Sequence, residues 1–160
     1  MREQILTFLE KNSKIDLKEL AVMLGTSEVV VANEISQMEQ EHIICGYHTL
    51  INWEKTTLEK VTALIEVRVT PQRNQGFERI AERIYNYPEV QSVYLISGGY
   101  DLMVILEGKT LREVSAFVSN KLSTLETVIS TATHFILKKY KDHGTILQGQ
   151  EEDERIPVTL

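Results

Sequence analysis

The spacing of apolar residues changes once along the chain, near residue 50. Before that point they recur at helical intervals. Ile5, Leu6, Phe8 and Leu9 form one apolar stripe, and Asn12 with Ser13 marks where that helix stops. Asp16 precedes Glu19 by three residues, a pairing that resembles a capping box and predicts a second helix over 17–24 with Leu17, Leu20, Ala21 and Leu24 inward. Gly25 supplies the left-handed backbone with which many helices end, and Ser27 then caps a third helix whose inward positions are Val31, Ile35 and Met38. Helix, tight turn, helix is the helix-turn-helix pattern, and it places the third helix in a DNA major groove.

After residue 60 the period shortens to two. Val61, Ala63, Ile65, Val67 and Val69 alternate with Thr62, Leu64, Glu66 and Arg68, which predicts a half-buried strand ended by Pro71. Phe77, Ile80, Ala81 and Ile84 return to helical spacing until Pro88. Two strands follow, 90–96 and 102–106, joined through Ser97-Gly98-Gly99-Tyr100-Asp101 as a Gly-Gly hairpin. Thr110 and Glu113 cap a second helix with Leu111, Val114, Phe117, Val118, Leu122 and Leu125 inward, and a last strand runs over 131–140. The expected architecture is α+β: a winged-helix-like helix-turn-helix at the amino end, then a ferredoxin-like βαββαβ domain. The boundaries read as a head over 1–50, a linker over 51–60, a body over 61–141, and a tail over 142–160. Two helices cover only one face of four strands, yet the middle strands are apolar on both faces. The bare face is therefore expected to pack on a second copy as an isologous dimer.

Composition narrows the function classes. Within 160 residues no window approaches the roughly 18 apolar residues of a membrane span, and Met1-Arg2-Glu3-Gln4 opens an amphipathic helix instead of a secretory signal, so a cytoplasmic protein is expected. The lone Cys45 has no disulfide partner and reads as a small core residue. His42, His48, His134 and His143 lack metal-ligand spacing, and the chain has no Gly-Lys-Ser/Thr phosphate loop, Gly-x-Ser-x-Gly elbow or His-Glu-x-x-His helix. Neither enzyme chemistry nor a cofactor or metal is expected.

Charge complicates the DNA reading. Residues 1–60 hold six Lys or Arg against ten Asp or Glu, whereas phosphate contacts supply most non-specific DNA affinity. The outward side of the third helix reads Glu28, Val29, Val30, Asn33, Glu34, Ser36 and Gln37, with no basic residue. Readout chemistry is nevertheless present: Asn33 or Gln37 can pair two ways with an adenine edge, and Val29 or Val30 can pack on a thymine methyl. Ser27, Lys14 and Lys18, with Lys11, can reach phosphates. The competing reading is a head that serves protein contacts. The run Glu151-Glu152-Asp153-Glu154 would repel DNA, and 155–160 can return as a short edge strand.

The order of elements, the Ile43-Ile44-Cys45-Gly46-Tyr47 junction, the Ser-Gly-Gly-Tyr-Asp hairpin and Ser130-Thr131-Ala132-Thr133 together resemble the Lrp/AsnC (feast/famine) family of bacterial and archaeal regulators. That resemblance spans nearly the whole chain. It implies double-stranded DNA as a partner, homodimers that assemble further into octamers, and an amino acid or related metabolite bound between dimers. The effector residues it implies are Gly98, Gly99, Tyr100, Asp101, Thr131 and Thr133. A free amino acid has an ammonium that Asp101 could hold and a carboxylate that open backbone amides or threonine hydroxyls could hold. The same residues could serve only turn and strand. The head departs from the family pattern, with Asn33, Glu34, Ser36 and Gln37 where members usually carry Arg and Lys, and His42 where they carry Gly. An alternative on the same scaffold is a sirohaem decarboxylase-like enzyme, for which His134 with Arg68 is the only pair to nominate.

Overall fold

The computed structural model describes residues 1–70 and 76–147, and it divides into two units between Thr49 and Leu50. The tail beyond 147, including the acidic run and the expected edge strand, lies outside the described residues.

The first unit holds three helices: α1 (Arg2–Lys11), α2 (Leu17–Leu24) and α3 (Glu28–Gln40). Local chemistry sets their ends. The Asp16 carboxylate accepts from the amides of Lys18 and Glu19, so two of the donors that every helix start leaves orphaned are satisfied. Gly25 then closes α2 at φ 66°, and the Ser27 hydroxyl accepts from the Val30 amide to open α3. At the far end of α3 the amides of Ile43 and His42 turn back to the carbonyls of Met38 and Glu39, the paired bonds of a Schellman ending. His42 occupies the left-handed position there, at φ 56°. Ile5, Leu20, Ala21, Val31 and Met38 make the buried core, with Ile35 and Ile44 packed against it. No strand occurs in this unit, so the head is trihelical without a β wing.

The second unit is a four-stranded antiparallel sheet in the order β2-β3-β1-β4, built from β1 (Val61–Val69), β2 (Val90–Leu95), β3 (Leu102–Gly108) and β4 (Val128–Phe135). Helices α4 (Glu78–Tyr85) and α5 (Leu111–Phe117) cover one face, and α5 continues as a wider π turn through Leu122. Ala63, Ile65, Val67, Leu102, Val104 and Leu106 point into that layer against Ile80, Ile84, Val114, Phe117 and Leu122. This is the βαββαβ order with both central strands in the middle. A short hairpin, β5 (Lys141–Asp142) with β6 (Thr145–Ile146), follows, turning on Gly144 at φ 79°.

Four expectations need correction. The last strand starts at Val128 and ends at Phe135, because pairing with β1 stops there and only the Ile136 amide still reaches the Thr62 carbonyl. Leu111 is exposed at the start of α5 instead of inward, and Cys45 is exposed, its thiol donating to the His42 carbonyl. Finally, residues 97–100 form a broader loop closed by the Ile96 amide on the Asp101 carbonyl, and neither Gly98 nor Gly99 has left-handed backbone. A two-residue primed turn would require it.

Candidate functional site

The outward side of α3 is less acidic than its composition. With about 100° between successive residues, Val29, Asn33, Ser36 and Gln40 recur at the i, i+4, i+7, i+11 spacing of one stripe, and all four are exposed. That stripe carries no charge. The carboxylates lie to either side, and three of them, Glu34, Glu39 and Glu41, are engaged, while Glu28 on the first turn is exposed and carries no such bond. Arg2 donates through Nε to Glu34 at 2.7 Å and through Nη1 to Glu41 at 2.8 Å, which holds the Arg2 guanidinium above its already high range. On the opposite flank the Tyr47 hydroxyl donates to Glu39 at 2.8 Å; burial and then this bond push the phenol up.

The Arg2 clamp also changes the role of Gln37. Its Oε1 accepts from Arg2 Nη2 at 2.8 Å, so one of that oxygen's two lone pairs is engaged while the clamp holds. Asn33 keeps both. Gln40, which the sequence reading passed over, completes the stripe seven residues beyond Asn33; carrying the helical period one turn further would have found it. Val29 is 68% exposed and Val30 38%, so Val29 is the freer apolar contact. Ser27 caps α3 and keeps its hydroxyl hydrogen for a phosphate. Lys11, Lys14 and Lys18 are exposed around the start of α2, and none joins an ion pair among the described residues.

In the second unit, the loop between β2 and β3 ends on Asp101, which is fastened to β1 at two points. Its amide donates to the Val67 carbonyl at 3.1 Å, and its Oδ2 accepts from the Val69 amide at 2.8 Å. One carboxylate oxygen is thus structural, and the other takes no part in that anchoring. Val67 pairs on its other side with Thr131, and Ile65 with Thr133. Asp101 and Thr131 therefore flank β1 from opposite sides, about two strand spacings or ~10 Å apart. Within one copy, β1 lies between them. Beside them, a Cβ on Gly99 would meet nothing within 4 Å and one on Gly98 only Ile96 Cγ2 at 3.6 Å. Neither glycine is demanded by backbone angle or by packing.

These observations accord with the comparisons. A family model for the Lrp/AsnC ligand-binding domain matches residues 62–146. The uncharacterized HTH-type transcriptional regulator YugG of Bacillus subtilis (strain 168) is 48% identical over 98% of this chain and 95% of its own length. The chain belongs to the Lrp/AsnC family. Among solved structures of like fold, E. coli AsnC has a TM-score of 0.68 at 20% identity, covering 92% of this chain and 96% of its own. A Neisseria meningitidis transcriptional regulator in complex with L-methionine has a TM-score of 0.70 at 24% identity, covering 88% and 90%.

Within this Lrp/AsnC chain the residues nominated for tetrapyrrole chemistry do not meet. His134 pairs across the sheet with Leu64 and contacts Glu66 at 3.2 Å, whereas Arg68 sits opposite Ser130, four residues further along β1. At about 3.3 Å per residue that is ~13 Å. Among the described residues no group of three or more His, Cys, Asp or Glu could hold a metal ion, and no helix is long and apolar enough to cross a membrane. The sheet face away from the helices carries Leu64, Met103 and Ile105 partly exposed and Tyr94 51% exposed, with the Glu66–His134 pair among them.

Proposed function

We propose that this Lrp/AsnC chain is a cytoplasmic, sequence-specific DNA-binding transcriptional regulator that works as a homodimer, assembles further into octamers, and responds to a free amino acid. The observation that carries the reading is the uncharged stripe Val29, Asn33, Ser36, Gln40, beside which Glu34 and Glu41 are held by Arg2 and Glu39 by Tyr47. A helix presenting amides and methyl groups in the major groove reads bases directly, while Ser27, Lys14 and Lys18 supply a small number of phosphate contacts. The regulators named among its relatives favour this reading over an enzyme on the same scaffold.

The effector site is assigned to Gly98, Gly99, Tyr100 and Asp101 of one copy, completed by Thr131 and Thr133 of another. The free Asp101 oxygen takes the ammonium, and the open approach to the two glycine amides takes the carboxylate. The partly exposed Leu64, Met103 and Ile105 support dimerisation through the bare sheet face, since burying about 25 cal/mol for each Å² of apolar surface favours covering it.

A mobility-shift titration on DNA from upstream of the chain's own gene, run across salt and with each proteinogenic amino acid, tests the whole reading. Sequence-selective retention with a shallow salt slope, altered by at least one amino acid, is the expected result. Retention that is equal on scrambled DNA and vanishes steeply with salt would reject base readout.

A further inference from the structure

A helix about 10 to 12 Å across fills a major groove about 12 Å wide, so a stripe that meets base edges lies between two flanks that meet the phosphates of either strand. On α3 the stripe is Val29, Asn33, Ser36 and Gln40, and moving each position on by one residue gives one flank: Val30, Glu34, Gln37 and Glu41. Two of those four are carboxylates.

Arg2 reaches three of them from α1. Its Nε donates to Glu34 at 2.7 Å, Nη1 to one Glu41 oxygen at 2.8 Å, and Nη2 to Gln37 Oε1 at 2.8 Å and to the second Glu41 oxygen at 3.2 Å. Glu41 is thus held by both arms of the guanidinium, the strongest form of this pair. The cluster still lies at the surface, with the Arg2, Glu34 and Glu41 side chains 37%, 24% and 48% exposed. Ion pairs in such a place add only about 0 to 1 kcal/mol to stability. For a polyanion the same cluster matters more.

We propose that Arg2 is a positioning residue for DNA binding, which acts through Glu34 and Glu41 by masking the carboxylates on the phosphate-facing flank of α3. The role depends on α3 entering the major groove as proposed for the function. One guanidinium against two carboxylates leaves the cluster at minus one, and without Arg2 it stands at minus two. Phosphates beside the flank lie within the screening length of about 10 Å at 0.1 M salt, so the duplex responds to that difference. Because phosphates are alike on every duplex, the response carries no sequence preference.

Masking and mere fastening of α1 to α3 predict different things. Arg2→Gln and Glu34→Gln/Glu41→Gln each dismantle the same ion pairs, so a clamp that only fastens makes both variants worse. A clamp that masks makes them opposite. The first leaves the cluster at minus two, whereas the second leaves it at plus one and releases the guanidinium toward a phosphate.

Fluorescence anisotropy of the full-length protein tests this, on a duplex from upstream of its own gene and on a scrambled duplex, across salt. At about 0.1 M salt each unit of cluster charge should shift Kd about threefold on both duplexes. Arg2→Gln is expected to bind about threefold more weakly than the parent, Arg2→Gln/Glu34→Gln/Glu41→Gln about threefold more tightly, and Glu34→Gln/Glu41→Gln about tenfold more tightly with a salt slope steeper by about one. The triple variant lacks the clamp as fully as Arg2→Gln does, so its tighter binding assigns the loss in Arg2→Gln to charge even if that protein is less stable. Weaker binding by the double or the triple variant than by the parent, or parental affinity in Arg2→Gln, would overturn the proposal. Asn33→Ala keeps the two readings apart: an unchanged preference for the upstream duplex refutes the groove reading, and affinities that do not rank by cluster charge refute the role of Arg2 whatever Asn33 does.

Discussion

Two helix ends in the head share one backbone geometry but carry different residues, and exchanging them isolates what that geometry costs. Gly25 ends α2 at φ 66°, and His42 follows α3 at φ 56°. A side chain in this region crowds the backbone by about 1 to 2 kcal/mol, with histidine toward the lower end. Replacing it by glycine removes that strain but frees the unfolded chain, which offsets about 0.4 to 1 kcal/mol. His42 is exposed, and its ring makes no hydrogen bond or ion pair among the described residues. His42→Gly should therefore stabilise the head by about 0.5 kcal/mol. Gly25→Ala should do the reverse. A Cβ there would meet nothing within 4 Å, so the cost is backbone strain alone, about 1 kcal/mol. Native-state hydrogen exchange at the buried Leu20, Val31 and Met38 amides reads both variants, with Ile65 and Val104 of the second unit as internal references. Exchange should slow about twofold in His42→Gly and quicken about fivefold in Gly25→Ala, since 1.4 kcal/mol is tenfold. If both variants quicken exchange, the strain assigned to His42 does not exist.

Three further outcomes follow from the sites. Asn33→Ala should weaken specific DNA binding by about 1 to 3 kcal/mol while sparing binding to scrambled DNA, whereas Lys14→Gln or Lys18→Gln should lower the salt slope by about one without changing sequence preference; fluorescence anisotropy across salt separates the two. Asp101→Asn keeps an oxygen for the Val69 amide but loses the charge, so its thermal stability should match the parent's while the amino-acid response disappears, and a surviving response would remove Asp101 as the ammonium partner. The Glu89 carboxyl has its folded pKa lowered by Lys121, so the unfolded chain binds the extra proton first as pH falls through the ordinary glutamate range. The stabilisation is present above that range and lost below it. For a pair this exposed it amounts to about 0.2 to 1 kcal/mol, and denaturant unfolding of Glu89→Gln should show a correspondingly flatter acid limb.

The parts of this fold legible in the chain are those whose causes lie within a few residues. Asp16, Gly25 and Ser27 each act on amides or angles no more than three positions away, and the helices they bound run as the apolar spacing predicts. What escaped the sequence depends on distant partners. Arg2 and Glu41 lie 39 residues apart, so nothing local announces that Glu34 and Glu41 are paired or that Gln37 accepts from the same guanidinium. The hairpin shows the same limit. Gly98-Gly99 reads as a tight primed turn because that is what two glycines do when only their neighbours matter. In the folded chain Asp101 is drawn onto Val67 and Val69 of a strand 32 residues earlier, and the loop widens to reach it. That leaves two glycines in a place where neither left-handed backbone nor close packing calls for them. Glycine costs conformational entropy wherever it stands. What it provides here is bare backbone amides next to an anchored carboxylate, an arrangement with a direct use for anything that brings its own ammonium and carboxylate.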